Sequence, residues 1–367
     1  MKLWSRLVGE DSSEEARPKY TPLRIVSRGM CCAVGHNAPA ATAAINARMN
    51  HFRETEFVDA GDLIMGGAIY DVAEWGAERL QRMAHTVMEE CLAAFADIDI
   101  KQVAVVLMAA EPQRPGMPSE HLSYALQTFM GQGDAENSPF HAKSYWAGYG
   151  KGGIALAMAD AADLLNTPQG PSYVLLVAVD SMLDAAAIEQ FLGLQRLSTA
   201  QNADGFIPAE GAAALLLTCE ASNEPAVWIE AVAMAKEDWQ LGSDTPLRGN
   251  GLTQAMRSVV GLAKTEVAAM DFHASGMTGE GWYAKEVSLA LSRSMERKKS
   301  EFPHLLVARS VGETGAASPL LTLAWLANIM GRASGSPGRN GLLHFAGDDG
   351  QRSAMVVRYR ATATATA

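Results

Sequence analysis

The chain has 367 residues, 48% of them hydrophobic, so it can bury a large core and is neither a disordered nor a fibrous protein. Its 30 basic and 41 acidic residues give a net charge of −11, which excludes the basic surface that nucleic-acid binding needs. The sequence has neither an apolar signal segment at its start nor an uninterrupted apolar run of about 18 residues. We therefore expect a cytoplasmic protein with no membrane and no nucleic-acid partner. The four cysteines form no CxxC pair, so neither a disulfide framework nor a metal site is expected.

Apolar runs and amphipathic patterns alternate along the chain. Runs typical of buried strands lie at 23–30, 103–109, 172–179, 211–218, 226–235, 304–309, 341–347 and 354–360. Helical periodicity is found at 72–95, 118–130, 154–165, 252–263, 282–296 and 317–330. This alternation predicts the α/β class, with helices covering both faces of a sheet.

The order of elements occurs twice, with a polar, proline-containing segment between the two copies. Two sheets that share a layer of helices make a five-layer αβαβα sandwich, whose central helices must be small and apolar. The segments 152–165 and 315–330 have that composition. The predicted organisation is a lead-in at 1–20, an N-terminal half at 21–219, a C-terminal half at 226–360 and a disordered tail at 361–367.

Five motifs spread along the chain carry a family resemblance. They are DGFIPAEGAAALLL (204–217), VAVDSM (177–182), DFHASGMTGEGWYAKE (271–286), GETGAAS (312–318) and LLHFAGDDGQRSAMVV (342–357). On these motifs the chain resembles the β-ketoacyl-[acyl-carrier-protein] synthases of the thiolase-fold superfamily over about residues 23–360. The resemblance implies a thiolase-like fold in two similar halves and a homodimer formed through a strand at about 139–147.

The same resemblance locates the positions where those synthases carry their catalytic groups. They need a nucleophilic cysteine at a helix N-terminus and two histidines that stabilise developing negative charge. The corresponding residues here are Lys151, or Gly150 if the register slips by one, then Ser275 and Glu313, with His273 two residues before Ser275. None of these positions keeps the family residue, so no catalytic residue is assigned.

The loop that ends the resemblance also departs from the family. It reads Ala-Gly-Asp-Asp-Gly over 346–350, so Asp348 and Asp349 lie where a synthase would need hydrogen-bond donors for an oxyanion. We therefore expect a catalytically degenerate homologue kept for binding, without a cofactor, and with a narrowed or closed substrate channel. Chain length factors, which lack the synthase cysteine, are comparable.

A narrower resemblance concerns the partner. The GETGAAS motif is similar to thiolase-like proteins encoded beside type VI secretion genes, which implies an adaptor role with a secretion effector as partner; an acyl carrier protein is the other candidate. The insertion at 110–140 is a candidate partner surface. The rival hypothesis is an active 3-oxoacyl-[acyl-carrier-protein] synthase or acyltransferase, with Lys151, Ser275, His273 and Glu313 forming a rearranged site.

Other interpretations of single residues are weaker. Lys151 at a helix N-terminus has the chemistry of an amine nucleophile, but a lysine that reaches solvent or pairs with Glu313 is the simpler expectation. The surrounding GYGKGG string lacks the GxxxxGK[ST] spacing of a phosphate loop.

Two further patterns are more typical of packing than of chemistry. Cys31 and Cys32 are adjacent at the end of the first strand, which suits a packed core pair better than a redox pair. Asp271, His273 and Ser275 alternate along one strand, so their side chains run parallel and do not converge as a hydrolase triad must.

Overall fold

The computed structural model describes residues 20–69, 72–95, 97–114, 138–239, 241 and 243–361. Its strands are β1 Leu23–Cys32, β2 Arg53–Asp59, β3 Asp62–Gly66, β4 Val103–Met108, β5 Tyr145–Ala147, β6 Tyr173–Ser181, β7 Glu210–Thr218, β8 Ala226–Lys236, β9 Phe272–Ser275, β10 His304–Leu305, β11 Asn340–Ala346 and β12 Gln351–Arg360. Its α-helices are α1 Ala38–Asn46, α2 Gly76–Ala93, α3 Ile154–Asn166, α4 Ala185–Gly193, α5 Asn250–Leu262, α6 Gly281–Ser294, α7 Ala308–Val311 and α8 Ser318–Ile329.

Ten strands form a hydrogen-bonded sheet that is two similar sheets joined at one edge. The order is β10-β9-β11-β12-β8 and then β1-β7-β6-β4-β5. Numbered within its own half, each set of five strands has the order 3-2-4-5-1 when read from its outer edge. The join is a short antiparallel contact in which Leu23 pairs with Ile229 and Arg24 with Trp228. The duplication expected from the sequence is therefore present in the strand topology.

Helices lie on both outer faces and between the two sheets. Helix α2 packs on the outer face of the first sheet, and α5 and α6 pack on the outer face of the second. Helices α3 and α8 lie between the sheets in a core that draws residues from both. The predicted five-layer αβαβα arrangement is confirmed.

Small residues allow the central layer to pack closely. Strand β7 is rich in alanine, and all of its residues are buried. A Cβ atom added at Gly211 would lie 3.1 Å from Leu321 Cδ1 of α8, a tight contact that would require the leucine side chain to shift. Helix α8 is itself buried along almost its whole length, as its composition predicts.

Most predicted elements are found, with one partial error. The apolar run 304–309 forms a strand only at His304–Leu305, and the chain then turns into helix α7. Because β9 offers a partner over only four residues, the neighbouring edge strand cannot be long. The sequence analysis missed the β2–β3 hairpin, α1 and α4.

Some expectations fall outside the described residues. They concern the lead-in 1–19, the helix predicted at 118–130, most of the insertion at 110–140 and the tail from 362 onward. In the part of the chain that is described, no helix combines the length and apolarity that crossing a bilayer requires.

Candidate functional site

The candidate site lies at the N-terminal ends of the two central helices, α3 and α8. Lys151 lies just before α3, and Glu313 lies between α7 and α8. The Nζ atom of Lys151 is 2.5 Å from Oε2 of Glu313 and also donates to the carbonyl of Gly276 at 3.4 Å. The simpler expectation for Lys151, a pair with Glu313, is thus what the structure shows.

Glycines hold Glu313 in position. Gly312 and Gly315 have φ angles of 83° and 52°, a region that other residues adopt only at a cost. A Cβ atom on Gly315 would also collide with the carboxylate of Asp180, which accepts a hydrogen bond from the amide of Ala316 at 2.7 Å. The turn 312–317 is therefore fixed from both sides, and it directs the Glu313 side chain toward Lys151.

The pair is unequally buried. The side chain of Glu313 is 4% exposed and that of Lys151 is 16% exposed. Burial raises the pKa of the Glu313 carboxyl, while the Lys151 ammonium and the amide of Gly315, which donates to Oε1 at 2.9 Å, oppose the rise. Glu313 therefore depends on Lys151 to remain charged.

A cleft borders this pair. It is open to solvent but narrow, with only about 30 Å³ of space for the centres of water-sized molecules. Charged and aromatic side chains dominate its walls. The lining residues are Glu111, Lys151, Met182, Phe191, Arg196, Phe206, Glu280, Trp282, Tyr283, Glu313, Gly315, Ala346, Gly347 and Asp348.

A second charged group crosses the cleft from the opposite wall. Arg196 donates to both carboxylate oxygens of Glu280, at 2.7 and 3.0 Å, and to Asp348 at 2.7 Å. Asp348, which the sequence placed near the site, thus has a cationic partner. Asp349 instead accepts from the backbone and side chain of Gln351, at 3.0 and 2.5 Å. The sequence analysis missed Arg196 and Glu280, since nothing in their local sequence marks them.

A partly buried acid, Glu111, lies just after β4 at the same end of the first sheet. Burial raises the pKa of Glu111, which borders the cleft, and the nearby Arg114 opposes the rise. Arg114 itself forms a buried ion pair with Asp180. The cleft is therefore lined by more acidic than basic groups, and its basic groups are already paired.

Ser275 and His273 do not join Lys151 and Glu313. Their alternation with Ala274, which belongs to the central core, turns both side chains to the outer face of the second sheet. Ser275 Oγ lies 2.8 Å from His304 Nε2, and His273 Nδ1 lies 3.2 Å from His344 Nε2. The rearranged four-residue site is therefore divided into two sets. The prediction that His273 and Ser275 run parallel on one face agrees with this placement.

His304 and His344 were not singled out by sequence, because only the strand register places them beside His273. One ring nitrogen from each of the three histidines lies within 4.8 Å of the others. The expectation that the chain has no metal site was based on cysteine spacing alone and did not take these three histidines into account.

The cysteines lie elsewhere. Cys31, Cys32 and Cys91 are buried in β1 and α2, and burial raises their pKa values to about 12, 11 and 12. Cys219 is partly exposed just after β7. Among the described residues no cysteine borders the cleft, so no thiolate is available there.

No family model and no curated protein matches the chain. Solved structures do match. One is from a complex of a type II polyketide synthase acyl-carrier protein with its ketosynthase bound to the hexaketide, with a TM-score of 0.72 and 14% identity over 92% of this chain and 99% of that chain. The fold is that of the thiolase-like ketosynthases.

Two other ketosynthase structures are similar to this chain. The ketosynthase from module 6 of the bacillaene synthase of Bacillus subtilis 168 has a TM-score of 0.71 and 13% identity over 92% of this chain and 72% of that chain. A ketosynthase in complex with its chain length factor from Xenorhabdus doucetiae has a TM-score of 0.65 and 13% identity over 94% of this chain and 100% of that chain. Such identities establish the shared fold and leave chemistry to be argued from the site.

Proposed function

We propose that this chain is a ketosynthase-fold protein that performs no condensation and serves as a binding or adaptor protein. The observation that carries the proposal is the Lys151–Glu313 ion pair at the heads of the two central helices. Condensation in the resembling synthases needs a thiolate that accepts an acyl group, and at this place the chain offers an ammonium already engaged with a carboxylate.

The charge of the cleft supports the same conclusion. Glu313, Glu280, Asp348 and Glu111 all border it, against Lys151 and Arg196. An acyl thioester arrives on a phosphorylated arm, and its condensation passes through an enolate, so both the substrate and the reacting centre carry negative charge. Carboxylates that line the walls oppose such charge rather than stabilise it.

The proposed partner is a protein. Two of the structural neighbours were solved as complexes, one of a ketosynthase with an acyl-carrier protein and one of a ketosynthase with a chain length factor. For this chain we propose a secretion effector or an acyl carrier protein as the partner. The resemblance of the 312–318 motif to type VI secretion-associated proteins favours the effector.

We also propose a homodimer formed through β5. This strand is the edge of the first sheet and pairs with β4 on one side. Because Ala147 accepts a hydrogen bond from Ala109 on the β4 side, alternation turns the N–H and C=O of Trp146 toward the open edge. Trp146→Pro removes that N–H and should give a monomer by light scattering, whereas Trp146→Phe should stay dimeric. A folded Trp146→Pro dimer would contradict this interface.

Intact-protein mass spectrometry tests the loss of chemistry. The protein is incubated with malonyl and acyl thioesters of coenzyme A and of acyl carrier protein. We expect an unchanged mass and no thioester turnover. A stable adduct that Lys151→Arg or Ser275→Ala abolishes, while Lys285→Arg on the exposed surface of α6 retains it, would establish an acyl-transfer enzyme instead.

The adaptor role needs a positive result as well. Mixing the chain with a type VI secretion effector from the same organism should give a complex of fixed stoichiometry by light scattering. The same experiment with a holo acyl carrier protein decides between the two proposed partners. If neither forms a complex at concentrations of about 100 µM, where weak complexes are populated, the proposed partners are wrong.

One observation favours the enzyme as the second candidate. The cleft is open to solvent and reaches Lys151, with Glu313 within hydrogen-bonding distance. The cleft has only about 30 Å³ of space for water-sized molecules, so it would have to widen to admit an acyl thioester. In that case Glu313 would act as a general base on Lys151, which would be the acyl acceptor.

A further inference from the structure

Three histidines meet on the outer face of the second sheet, away from the cleft pair. They come from three neighbouring strands: His304 from β10, His273 from β9 and His344 from β11. His304 pairs directly with His273 in the parallel ladder, and His344 pairs with Ser275, one position further along the same face. The register of three strands therefore gathers these rings, although 71 residues separate His273 from His344.

The spacing of the ring nitrogens suits a metal ion. Nδ1 of His273 and Nε2 of His344 are 3.2 Å apart. Two ligands of a tetrahedral zinc ion, each about 2.0–2.1 Å from the metal, are separated by about 3.3 Å. The third histidine, His304, offers a nitrogen within 4.8 Å of the other two, and its ring stacks on that of His273 with centroids 4.0 Å apart.

The rings are sheltered from solvent, since His273 and His344 are buried and His304 is partly buried. His344 is fully buried, and its Nδ1 has no hydrogen-bond partner among the described residues. The nitrogen of His344 that faces His273 is Nε2, and it is the atom placed to bind an ion, with Nδ1 left to carry the ring proton.

We propose that His273, His304 and His344 are the protein ligands of a zinc-like transition-metal ion. Three imidazoles without a carboxylate select zinc, copper, nickel or cobalt over calcium and magnesium, which prefer oxygen. His304 is partly exposed and provides the route by which the ion enters. This site is separate from the proposed function, which rests on Lys151 and Glu313.

Neighbouring residues orient the rings. Ser275 Oγ is 2.8 Å from His304 Nε2, and the ring of Phe302 lies against His273 with centroids 4.8 Å apart. A hydrogen bond to a ligand ring fixes its orientation and its tautomer. The ion would tie β10, an edge strand of two residues, to the two strands beside it, so its role is to stabilise the outer end of the second sheet.

Metal binding is measured on the full-length protein after treatment with a chelator. We expect one Zn²⁺ per chain by calorimetry and by elemental analysis, and one Co²⁺ per chain with the visible absorption of a tetrahedral site. Loss of an outer-shell partner costs about 10–100-fold in affinity, so loss of a ligand in His304→Gln should weaken zinc binding at least about 100-fold. His85→Gln on the exposed face of α2 should bind as the wild type does.

Direct location of the ion makes the test independent of any variant. A crystal grown with zinc should show an anomalous peak between the three imidazoles. Less than stoichiometric binding by the wild type, a peak elsewhere, or equal affinity in a folded His304→Gln would overturn the proposal. If His304→Gln does not fold, Ser275→Ala keeps all three ligands and should still lose about 10-fold in affinity.

Discussion

Two buried acid–base pairs in this molecule differ in how they are held. The carboxylate of Glu210 accepts from Arg79 Nε at 2.8 Å and from the amide of Ile69 at 2.7 Å. Arg79 in turn donates to the carbonyls of Ile69, Val72 and Glu74. Backbone groups of the segment between β3 and α2 therefore provide most of the hydrogen bonds around this pair.

The Lys151–Glu313 pair has far fewer backbone contacts. Lys151 adds the carbonyl of Gly276, and Glu313 adds the amide of Gly315, while the pair borders the cleft. The comparison teaches that burial alone does not define a structural ion pair. Glu210 and Arg79 fasten a chain segment, whereas Lys151 and Glu313 occupy a place that another molecule can reach.

The largest effect is expected from Glu210→Ala. Removing Glu210 leaves the amide of Ile69 unsatisfied and the Arg79 guanidinium without its counter-charge, although the hydrogen bonds of Arg79 to backbone carbonyls remain. Breaking a buried pair in this way costs about 3–5 kcal/mol in the free energy of unfolding, measured by urea denaturation. As a control, Glu266→Ala removes an exposed pair with Arg297 and should cost no more than about 1 kcal/mol. Equal losses in the two variants would remove the basis of the comparison.

Lys151→Met should have an intermediate effect that depends on pH. Glu313 then lacks its cation, and a buried unsatisfied group costs about 1–3 kcal/mol. Because its pKa is already raised by burial, Glu313 can take up a proton and be buried neutral. A carboxyl whose pKa is raised in the folded state favours folding at low pH, where it is protonated. This stabilisation is lost as the pH rises through the folded-state pKa of Glu313.

The difference in unfolding free energy between Lys151→Met and the wild type should therefore be smaller at about pH 5 than at about pH 8. Adding Glu313→Gln to Lys151→Met should recover most of the loss at the higher pH. A loss that does not change with pH would mean that Glu313 is not the group left unpaired.

The sequence predicts the scaffold well because burial imposes composition. Strands such as β6 and β7 are apolar over most of their length, since both faces are covered, and α8 is buried on nearly all sides. Motifs that require a particular local backbone conformation were also predicted from the sequence. Gly312 and Gly315 mark the turn that carries Glu313, and that residue lies where the motif places it, beside Lys151.

Local sequence patterns do not predict contacts that depend on strand register or on loops far apart in the chain. Arg196 and Glu280 are 84 residues apart and meet across the cleft. His304 begins a strand of two residues, too short to leave an alternating pattern, yet its pairing with β9 is what brings it to His273. Single-sequence reasoning finds residues that their neighbours explain and misses those that only tertiary pairing explains.

The smallest effect is expected from Glu313→Gln, and it sharpens the comparison most. Here the cation is left alone, but the Lys151 side chain is partly exposed and can extend into the solvent-open cleft, while the new side-chain carbonyl still accepts from the amide of Gly315. The expected loss is about 1 kcal/mol or less in the free energy of unfolding, because a long lysine chain avoids the desolvation that a fixed charge would suffer. Glu210→Gln is the matched isosteric change at the other pair. Arg79 is as exposed as Lys151, 15% against 16%, but three backbone carbonyls hold its guanidinium in place, so the substitution should cost more. If the two substitutions lower the free energy of unfolding equally, the Lys151–Glu313 pair is as structural as the Arg79–Glu210 pair. The cleft would then be a consequence of packing and not a binding site for a ligand.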